Sequence, residues 1–316
     1  MVDCWNRTID YLRLSVTERC QMKCIYCRDK TEQKCQDELT LHDIEKIVRA
    51  AGKLGIQKVR LTGGEPLLRE DIVDIAGIIK SVPEIKHTAI TTNGLLLHKY
   101  KEDLIREGIR FFNISLDSMN TDKYREITCN DNLATVKSNV MDLLNTENVK
   151  VKINIVLLKE INDKEVKDFI DFTKEHDVQV RFIELMPTLK TNIESNNYLS
   201  ADSILKSYPE LIKVPDNEIN SVAEVYRKPG YKGTIGFIKP VSHRFCGSCN
   251  RIRVLSNGNL RLCLGDNKEI SLKEVIVGGN DELLIKVMRE AIYNKPQGHS
   301  FYTSDTAIGS MNKIGG

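Results

Sequence analysis

Short segments rich in β-branched residues alternate with longer amphipathic segments over the first two-thirds of this 316-residue chain. The predicted strands are Tyr11 to Val16, Lys58 to Thr62, Thr88 to Thr92, Phe111 to Leu116, Val151 to Leu158 and Gln179 to Glu184. The predicted helices are Leu41 to Leu54, Asp71 to Lys80, Leu97 to Glu107, Leu133 to Leu144 and Lys164 to Glu175. Such alternation builds parallel βαβ units, and six of them fit an incomplete (β/α)6 TIM-like barrel or an open doubly wound sheet.

The positions of the unusual residues favour the barrel. They lie at or just past the ends of predicted strands, in Cys20 to Cys27, Thr62-Gly63-Gly64-Glu65-Pro66, Thr91-Thr92-Asn93-Gly94, Ser115-Leu116-Asp117 and Glu184-Leu185-Met186-Pro187. A Gly-Gly or Asn-Gly pair alone is more often just a turn. Their shared location matters, because the carboxyl ends of the strands form the active face of such a barrel.

Composition sets the class of protein. A hydrophobic content of 41% can build a large core, and the alternation fades after about Asn192. We therefore expect a partial barrel over residues 1–215 and a smaller α+β domain over residues 216–316. The 46 basic and 44 acidic residues are interspersed, which gives no argument for nucleic-acid binding. No apolar run approaches a membrane span and no signal peptide is recognisable, so a cytoplasmic protein is expected.

Three cysteines, Cys20, Cys24 and Cys27, stand within eight residues. Closed zinc and iron-sulfur sites normally take four protein ligands, so three close thiols predict a metal site that is open to a small molecule. A structural zinc site completed by Cys35 is the alternative. A disulfide framework is disfavoured, because nine cysteines is an odd number and a modest density.

A second set of three, Cys246, Cys249 and Cys263, follows near the end of the chain. Its spacing resembles a zinc ribbon short of one cysteine, and His243 could supply the fourth ligand. Zinc and iron-sulfur are equally compatible with the spacing. Arg251 and Arg253 would share one face of a strand and form a pocket for an anionic or carbonyl-rich ligand.

The CxxxCxYC loop after the first strand, followed by Gly63-Gly64-Glu65-Pro66 after the second, resembles the radical S-adenosylmethionine (SAM) superfamily. The resemblance implies that Cys20, Cys24 and Cys27 hold a 4Fe-4S cluster whose open iron binds SAM. It also implies a 5′-deoxyadenosyl radical as the reactive species. The implied SAM contacts are Tyr26, the Gly63-Gly64-Glu65 backbone, Ser115 and Met186.

Within that superfamily, the chain resembles the GTP 3′,8-cyclases of molybdenum cofactor biosynthesis. The resemblance rests on the second cysteine set, Arg251-Ile252-Arg253, Arg181-Phe182-Ile183-Glu184-Leu185-Met186-Pro187 and the terminal Gly315-Gly316. It implies that Cys246, Cys249 and Cys263 hold a second 4Fe-4S cluster that binds GTP. The radical then takes hydrogen from ribose carbon 3′, and this carbon bonds to guanine carbon 8. The product is (8S)-3′,8-cyclo-7,8-dihydroguanosine 5′-triphosphate.

The implied GTP site contains Arg13, Arg60, Thr91, Lys152 and Arg251-Ile252-Arg253, and the implied catalytic residues are Arg251, Arg253, Gly315 and Gly316. The residues give one independent argument, because Arg13, Arg60 and Lys152 lie on predicted strands between apolar neighbours. A charge in such a place needs a partner, and an anion inside the barrel would provide one. Outward-facing charges or charges paired with carboxylates are the alternative.

The implied partners are GTP, SAM, a low-potential flavodoxin or ferredoxin, the downstream cyclic pyranopterin monophosphate synthase and a second copy of the chain. Two alternatives stay open: a radical SAM peptide-modifying maturase with an auxiliary cluster, and a non-enzymatic zinc module. Asn6-Arg7 and Ile127-Thr128-Cys129-Asn130 depart from the family pattern. Cys4, Cys35 and Cys129 match no family ligand and are expected to be unliganded.

Overall fold

The strands form because each alternating segment buries one face against helices and turns the other inward. A computed structural model describes residues 1–27, 38–186, 197–216, 221–299 and 310–314. The first six strands are β1 (Tyr11–Ser15), β2 (Lys58–Thr62), β3 (His87–Thr92), β4 (Ile109–Ser115), β5 (Lys150–Leu157) and β6 (Gln179–Glu184). All six predicted strands are present, and their ends agree with the prediction within two residues.

The later strands are β7 (Ile212–Lys213), β8 (Glu224–Arg227), β9 (Thr234–Ile238), β10 (Arg251–Val254), β11 (Asn259–Arg261) and β12 (Glu269–Ser271). One sheet contains them all, in the order β12-β11-β10-β1-β2-β3-β4-β5-β6-β9-β8-β7. The strands from β10 to β9 in this order run parallel, and β11, β12, β8 and β7 continue the two edges antiparallel. The incomplete (β/α)6 barrel is thus confirmed, with additional strands at both edges.

The helices cover the outside of the barrel. They are α1 (Leu41–Lys53), α2 (Ile72–Lys80), α3 (Leu97–Arg106), α4 (Thr121–Thr128), α5 (Leu133–Leu144), α6 (Val166–Glu175), α7 (Ala201–Ser207), α8 (Lys273–Val277) and α9 (Asp281–Tyr293). In α1, Ile44, Ile47 and Val48 are fully buried on one stripe, each contributing roughly 1.5–3 kcal/mol. A capping box between Thr40 and Asp43 begins this helix. The helix α4 was not predicted.

Polar residues line the inside of the barrel. On β1, Leu12 and Leu14 are fully buried in the core beneath the helices, whereas Arg13 lines an interior cavity. Since strand side chains alternate, each inner strand presents its polar residues to that cavity and its apolar residues to the helices. The interior is therefore a ligand-sized space rather than a packed core.

The predicted domain boundary at residues 215 and 216 stays a prediction. Strands on its two sides pair directly, because β9 joins β6 and β10 joins β1 in the same sheet. The second cysteine set consequently lies beside the barrel opening. None of the described helices is long and apolar enough to cross a membrane.

Candidate active site

The first three cysteines lie in the loop after β1. Cys20, Cys24 and Cys27 line a cavity of about 260 Å³ at the carboxyl ends of the strands. The end of α4 supports this loop, since the Lys23 and Ile25 amides donate to carbonyls of α4 at 2.9 Å. Burial raises the pKa of the Cys24 thiol well above its usual value, and the neighbouring Cys27 and Asp117 act in the same direction. A bound metal must therefore stabilise the thiolates.

The Gly63-Gly64 pair lets two backbone segments meet beside these cysteines. A Cβ on Gly63 would clash with the Thr17 carbonyl, and a Cβ on Gly64 would clash with the Arg19 carbonyl. The Gly64 and Glu65 amides donate to these same carbonyls at 2.7 Å. An ammonium group donates hydrogen bonds, so the backbone groups of this segment that suit it are the carbonyl oxygens.

The Glu65 side chain fixes the ends of β2 and β3 relative to each other. It is 1% exposed and accepts hydrogen bonds from the Thr92 hydroxyl at 2.6 Å and the Asn93 amide at 2.7 Å. Burial raises its pKa to about 7, against the effect of these hydrogen bonds. Glu65 thus holds the cavity wall in place.

All the side chains and backbone groups predicted to contact SAM line the same cavity. These are Tyr26, Gly63, Gly64, Glu65, Ser115 and Met186. Their elements are far apart in sequence, yet the parallel strands end at one rim. The arrangement matches the prediction, although contact with SAM itself stays a prediction. Pro187 and Cys35 lie outside the described residues.

The second three cysteines line an adjoining cavity. Cys246, Cys249 and Cys263 share it with Lys295 and His299. Burial raises the pKa of Cys249, but Lys295, Arg251 and Arg253 outweigh it and hold that pKa below its usual value. The two cysteine sets therefore differ in their electrostatic surroundings.

Arg7 fastens the loops of this second cavity together. Its guanidinium donates to the carbonyls of Cys246, Pro296 and Gln297 at 2.8–3.0 Å. Its Nε also forms an ion pair with Oδ2 of Asp3 at 2.7 Å, and both side chains are buried. Asn6, which departs from the family pattern, adopts φ 61°, a left-handed conformation that asparagine tolerates. The amino-terminal segment thus holds the loop that carries Cys246.

His243 does not face the second cysteines. Its side chain is 64% exposed, and Nδ1 lies 3.7 Å from Oδ2 of Asp202. The zinc interpretation that used His243 as the fourth ligand is therefore unsupported. His299, which the sequence analysis did not single out, is the histidine in the lining of this cavity.

A third cavity, at the opposite end of the barrel, is lined by cations. Its charged residues are Arg13, Lys58, Arg60, Arg181 and Arg251. Arg13 stands in register with Arg60 on one side and with Arg253 on the other. Burial and neighbouring arginines lower the pKa of Arg13 to about 10. No carboxylate is among the described lining residues, so the cavity suits a polyanion.

Several buried polar atoms around this cavity have no hydrogen-bond partner within the described ranges. They are Nε of Arg60 and Arg251 and Oδ1 of Asn113 and Asn154. Buried polar atoms are normally satisfied, so such a group marks a place where a polar ligand belongs. Lys58, Arg181 and Asn154 were missed by the sequence analysis. The signal was present for Lys58 and Arg181, which are charges on strands like Arg13.

The predicted GTP residues fall into three groups. Arg13, Arg60, Thr91, Arg251 and Arg253 line the cavities. Lys152 is buried on β5, two residues before Asn154 and on the same face of the strand. The Ile252 side chain is fully buried in the hydrophobic core, so only its backbone can face a ligand.

The carboxyl-terminal segment enters the space between the cysteine sets. The Met311 amide donates to the Cys27 carbonyl at 2.9 Å, and Nη1 of Arg253 donates to the Ile314 carbonyl at 3.3 Å. Gly315 and Gly316 lie outside the described residues. Their predicted catalytic role therefore stays a prediction.

The three cavities adjoin one another. The cavities of the two cysteine sets share Met186, Phe245, Arg251 and Arg253, and the first of them shares Arg13, Asn154 and Arg251 with the cationic cavity. The spaces that the two cysteine sets face therefore lie side by side.

The residues fit two iron-sulfur clusters. Each set offers three soft thiolate donors that face shared space, which suits a cluster with one iron open to a ligand. Among the described residues, no three His, Cys, Asp or Glu side chains surround the position of a single metal ion. The fit rests on the donor set and on the cavities that the cysteines line.

This fold and this site define a protein of the radical SAM class. The family model of the Radical SAM superfamily matches residues 14–173, and the model named Molybdenum Cofactor Synthesis C matches residues 178–301. The solved structure of Streptococcus suis SuiB is similar with a TM-score of 0.64 at 18% identity, covering 92% of this chain and 67% of that one. Methylornithine synthase gives a TM-score of 0.51 at 20% identity, with 64% and 61% covered. At these identities the likeness shows the fold alone.

Curated relatives match over the whole chain. A GTP 3′,8-cyclase of Alkaliphilus metalliredigens is 40% identical over 321 residues, with 100% of both chains covered. The GTP 3′,8-cyclase of Clostridium acetobutylicum is also 40% identical with the same coverage. The chain belongs to the GTP 3′,8-cyclase family.

Proposed function

We propose that this enzyme converts GTP into (8S)-3′,8-cyclo-7,8-dihydroguanosine 5′-triphosphate, the first step of molybdenum cofactor biosynthesis. One observation carries the proposal: the two three-cysteine sets line adjoining cavities, and Arg251 and Arg253 line both of them. A radical generated at one set can therefore reach a substrate held at the other. The family relationship supports the same reaction.

The first set holds the catalytic cluster. When bound, that cluster supplies the electron that cleaves SAM, and the resulting radical removes hydrogen from ribose carbon 3′. The Gly63-Gly64-Glu65 backbone would receive the SAM ammonium group, because that group donates hydrogen bonds and backbone carbonyl oxygens accept them. Tyr26, Ser115 and Met186 hold the nucleoside end.

The cationic end of the barrel binds the triphosphate. Arg13, Arg60 and Lys152 neutralise it, with Lys58 and Arg181 added by the geometry of the cavity. Arg251 and Arg253 face the guanosine. Thr91 lies beside the triphosphate cations, because its hydroxyl is 3.5 Å from Nη1 of Arg60. Gly315 and Gly316, which follow Ile314 in the chain, complete the catalytic group. Glycines suit that position because they have no side chain to displace substrate.

Several finer assignments belong to the same proposal. Reduction requires a low-potential donor of the flavodoxin or ferredoxin type, and the product passes to cyclic pyranopterin monophosphate synthase. The cytoplasm is the compartment, because free thiols and clusters need reducing conditions. The enzyme acts as a homodimer.

Anaerobic reconstitution followed by a SAM cleavage assay tests the proposal. We expect about eight irons per chain and 5′-deoxyadenosine formation that depends on GTP. Iron at this level with cleavage that ignores GTP would favour a peptide-modifying maturase. Bound zinc in place of iron would favour a zinc module.

A matched pair of variants separates the two clusters. With Cys246, Cys249 and Cys263 all changed to Ala, the first cluster should still cleave SAM slowly, but no cyclised product should form. With Cys20, Cys24 and Cys27 changed to Ala, no cleavage should occur. Cyclised product from the first of these variants would contradict the role given to the second cluster.

A further inference from the structure

The second cysteine set has a buried lysine beside it. Lys295 is 2% exposed and lines the cavity together with Cys246, Cys249 and Cys263. Its Nζ donates to the Leu262 carbonyl at 2.5 Å, one residue before Cys263. A fully buried lysine is rare unless an anion compensates its charge.

The position of Lys295 is fixed from several sides. It follows α9, and its own carbonyl accepts hydrogen bonds from Nε1 of Trp5 at 3.0 Å and from Nη2 of Arg7 at 3.3 Å. These bonds fix its main chain, and the bond from Nζ to the Leu262 carbonyl fixes its side chain. The ammonium group is held at a set place relative to the three thiols.

No carboxylate lines this cavity within the described ranges, and none there forms an ion pair with Lys295. The cavity of the first cysteine set differs, because the buried carboxylates Glu65 and Asp117 line it. Burial, together with the nearby Arg7 and Arg253, holds the pKa of Lys295 below its usual value, and the thiolates of Cys249 and Cys263 act in the opposite direction. The lysine is thus placed against the ligands of the second cluster alone.

We propose that Lys295 is a positioning residue that sets the reduction potential of the second cluster. This inference rests on the proposed function, since it requires that a cluster occupies this cavity. Reduction adds one negative charge to a cluster already surrounded by three thiolates, and a fixed cation nearby stabilises the reduced state. The charge of Lys295 therefore makes the potential more positive.

Redox titration of the second cluster alone tests the proposal. The full-length chain with Cys20, Cys24 and Cys27 changed to Ala provides the background, so that one cluster of about four irons gives the paramagnetic signal. In this background Lys295→Met should shift the midpoint to more negative potential. We expect at least a tenfold change in the ratio of oxidised to reduced cluster at fixed potential, which is 59 mV for one electron.

Two further variants separate charge from hydrogen bonding. Lys295→Arg keeps the charge and should keep the midpoint, whereas Lys295→Gln keeps a donor for the Leu262 carbonyl and should shift like the methionine variant. Lys101→Met is the matched control, since Lys101 is 9% exposed but pairs with Asp142 between α3 and α5. It should leave the midpoint unchanged.

An unchanged midpoint in fully loaded Lys295→Met would overturn the proposal. So would a wild-type midpoint in Lys295→Gln, because the hydrogen bond alone would then suffice. If both neutral variants lose iron but Lys295→Arg does not, the charge of Lys295 retains the cluster rather than setting its potential. That result would also overturn the proposal. Absence of iron from the Cys20, Cys24 and Cys27 background itself would instead contradict the proposed function.

Discussion

The Tyr26 hydroxyl donates a 2.5 Å hydrogen bond to Oδ2 of Asp117, which joins the first cysteine loop to the end of β4. Oδ1 of the same carboxylate accepts from the Val156 amide at 2.8 Å. The Asp117 carbonyl accepts from Nδ2 of Asn162 at 2.8 Å, which ties the residue to the segment after β5. Burial raises the pKa of Asp117 to about 6, so the group is mostly ionised above neutral pH. The tyrosine predicted to contact SAM is thus held by a fixed acceptor.

Asp117→Asn should weaken SAM binding while leaving iron content unchanged. A hydrogen bond to a charged group contributes about 1.5–3 kcal/mol, so we expect affinity to fall about tenfold or more. Equilibrium binding of SAM to the reconstituted protein measures it. Tyr26→Phe should cause a similar loss, and the double variant should lose little more. Asp122→Asn, at an exposed site in α4, is the control. Additive losses in the double variant would contradict the coupling.

Binding of GTP should take up a proton at Tyr11. Burial raises the pKa of this phenol, but Arg60, Arg13, Arg251 and Lys58 outweigh it and lower that pKa to about 7. A bound triphosphate neutralises these cations, so the phenol pKa rises and a phenolate becomes protonated. Affinity for GTP should therefore fall as pH rises above 7.

Calorimetry in two buffers of different ionisation enthalpy measures this uptake at pH 8. Tyr11→Phe is the control, because it keeps the ring that contacts Lys58, Arg60 and Arg251 but cannot ionise. The difference in proton uptake between the two proteins removes the contribution of the nucleotide phosphates. Equal uptake by both would show that Tyr11 stays protonated.

Arg181→Gln and Lys58→Gln should weaken GTP binding but not guanosine binding. Each side chain lines the cationic end of the barrel, and loss of one charge-assisted contact should reduce affinity about tenfold. Competition binding with GTP and with guanosine gives the ratio of the two affinities for each variant. Lys164→Gln removes an exposed lysine and should change neither affinity. Equal losses for GTP and guanosine would place these residues outside the triphosphate site.

Cys129→Gly should stabilise the apoprotein. Cys129 ends α4 with φ 53° and ψ 39°, a left-handed conformation that costs a residue with a side chain about 1–2 kcal/mol. The greater freedom of glycine in the unfolded chain offsets part of this gain, so we expect about 1 kcal/mol in the free energy of unfolding. Urea denaturation measures it. Asn6→Gly should gain less, because asparagine tolerates this conformation. A lower stability of Cys129→Gly would contradict the argument.

Deletion of Gly315 and Gly316 should abolish cyclisation without removing either cluster. The preceding segment is tied to the site by the Arg253 contact with the Ile314 carbonyl and the Met311 contact with the Cys27 carbonyl. Iron content and product formation are measured on the same sample. Lys313→Gln, with the glycines retained, controls for a general disturbance of the tail. Full turnover by the deleted protein with intact iron would refute the prediction.

The barrel and many of the residues that line the candidate site could be predicted from local patterns. Periodicity located six strands, and the cysteine spacing predicted two candidate ligand sets, because strand alternation and thiolate chemistry act over a few neighbouring residues. The grouping of Arg13 with Arg60 could be anticipated, since both are charges between apolar strand residues. Motifs at strand ends could be placed on one rim because parallel strands end together.

Which residues meet across the barrel depends on how the strands pair and how the chain packs. Strand register brought Arg13 beside Arg253, and chain packing placed Lys295 among cysteines more than 30 residues earlier. No local pattern marks such a lysine, since its role depends on burial and on the charges that surround it. His243 was close to the second cysteines in sequence but faces Asp202. The spacing of the cysteines along the chain indicates which thiols can bind a metal. Packing determines which charged groups surround those thiols.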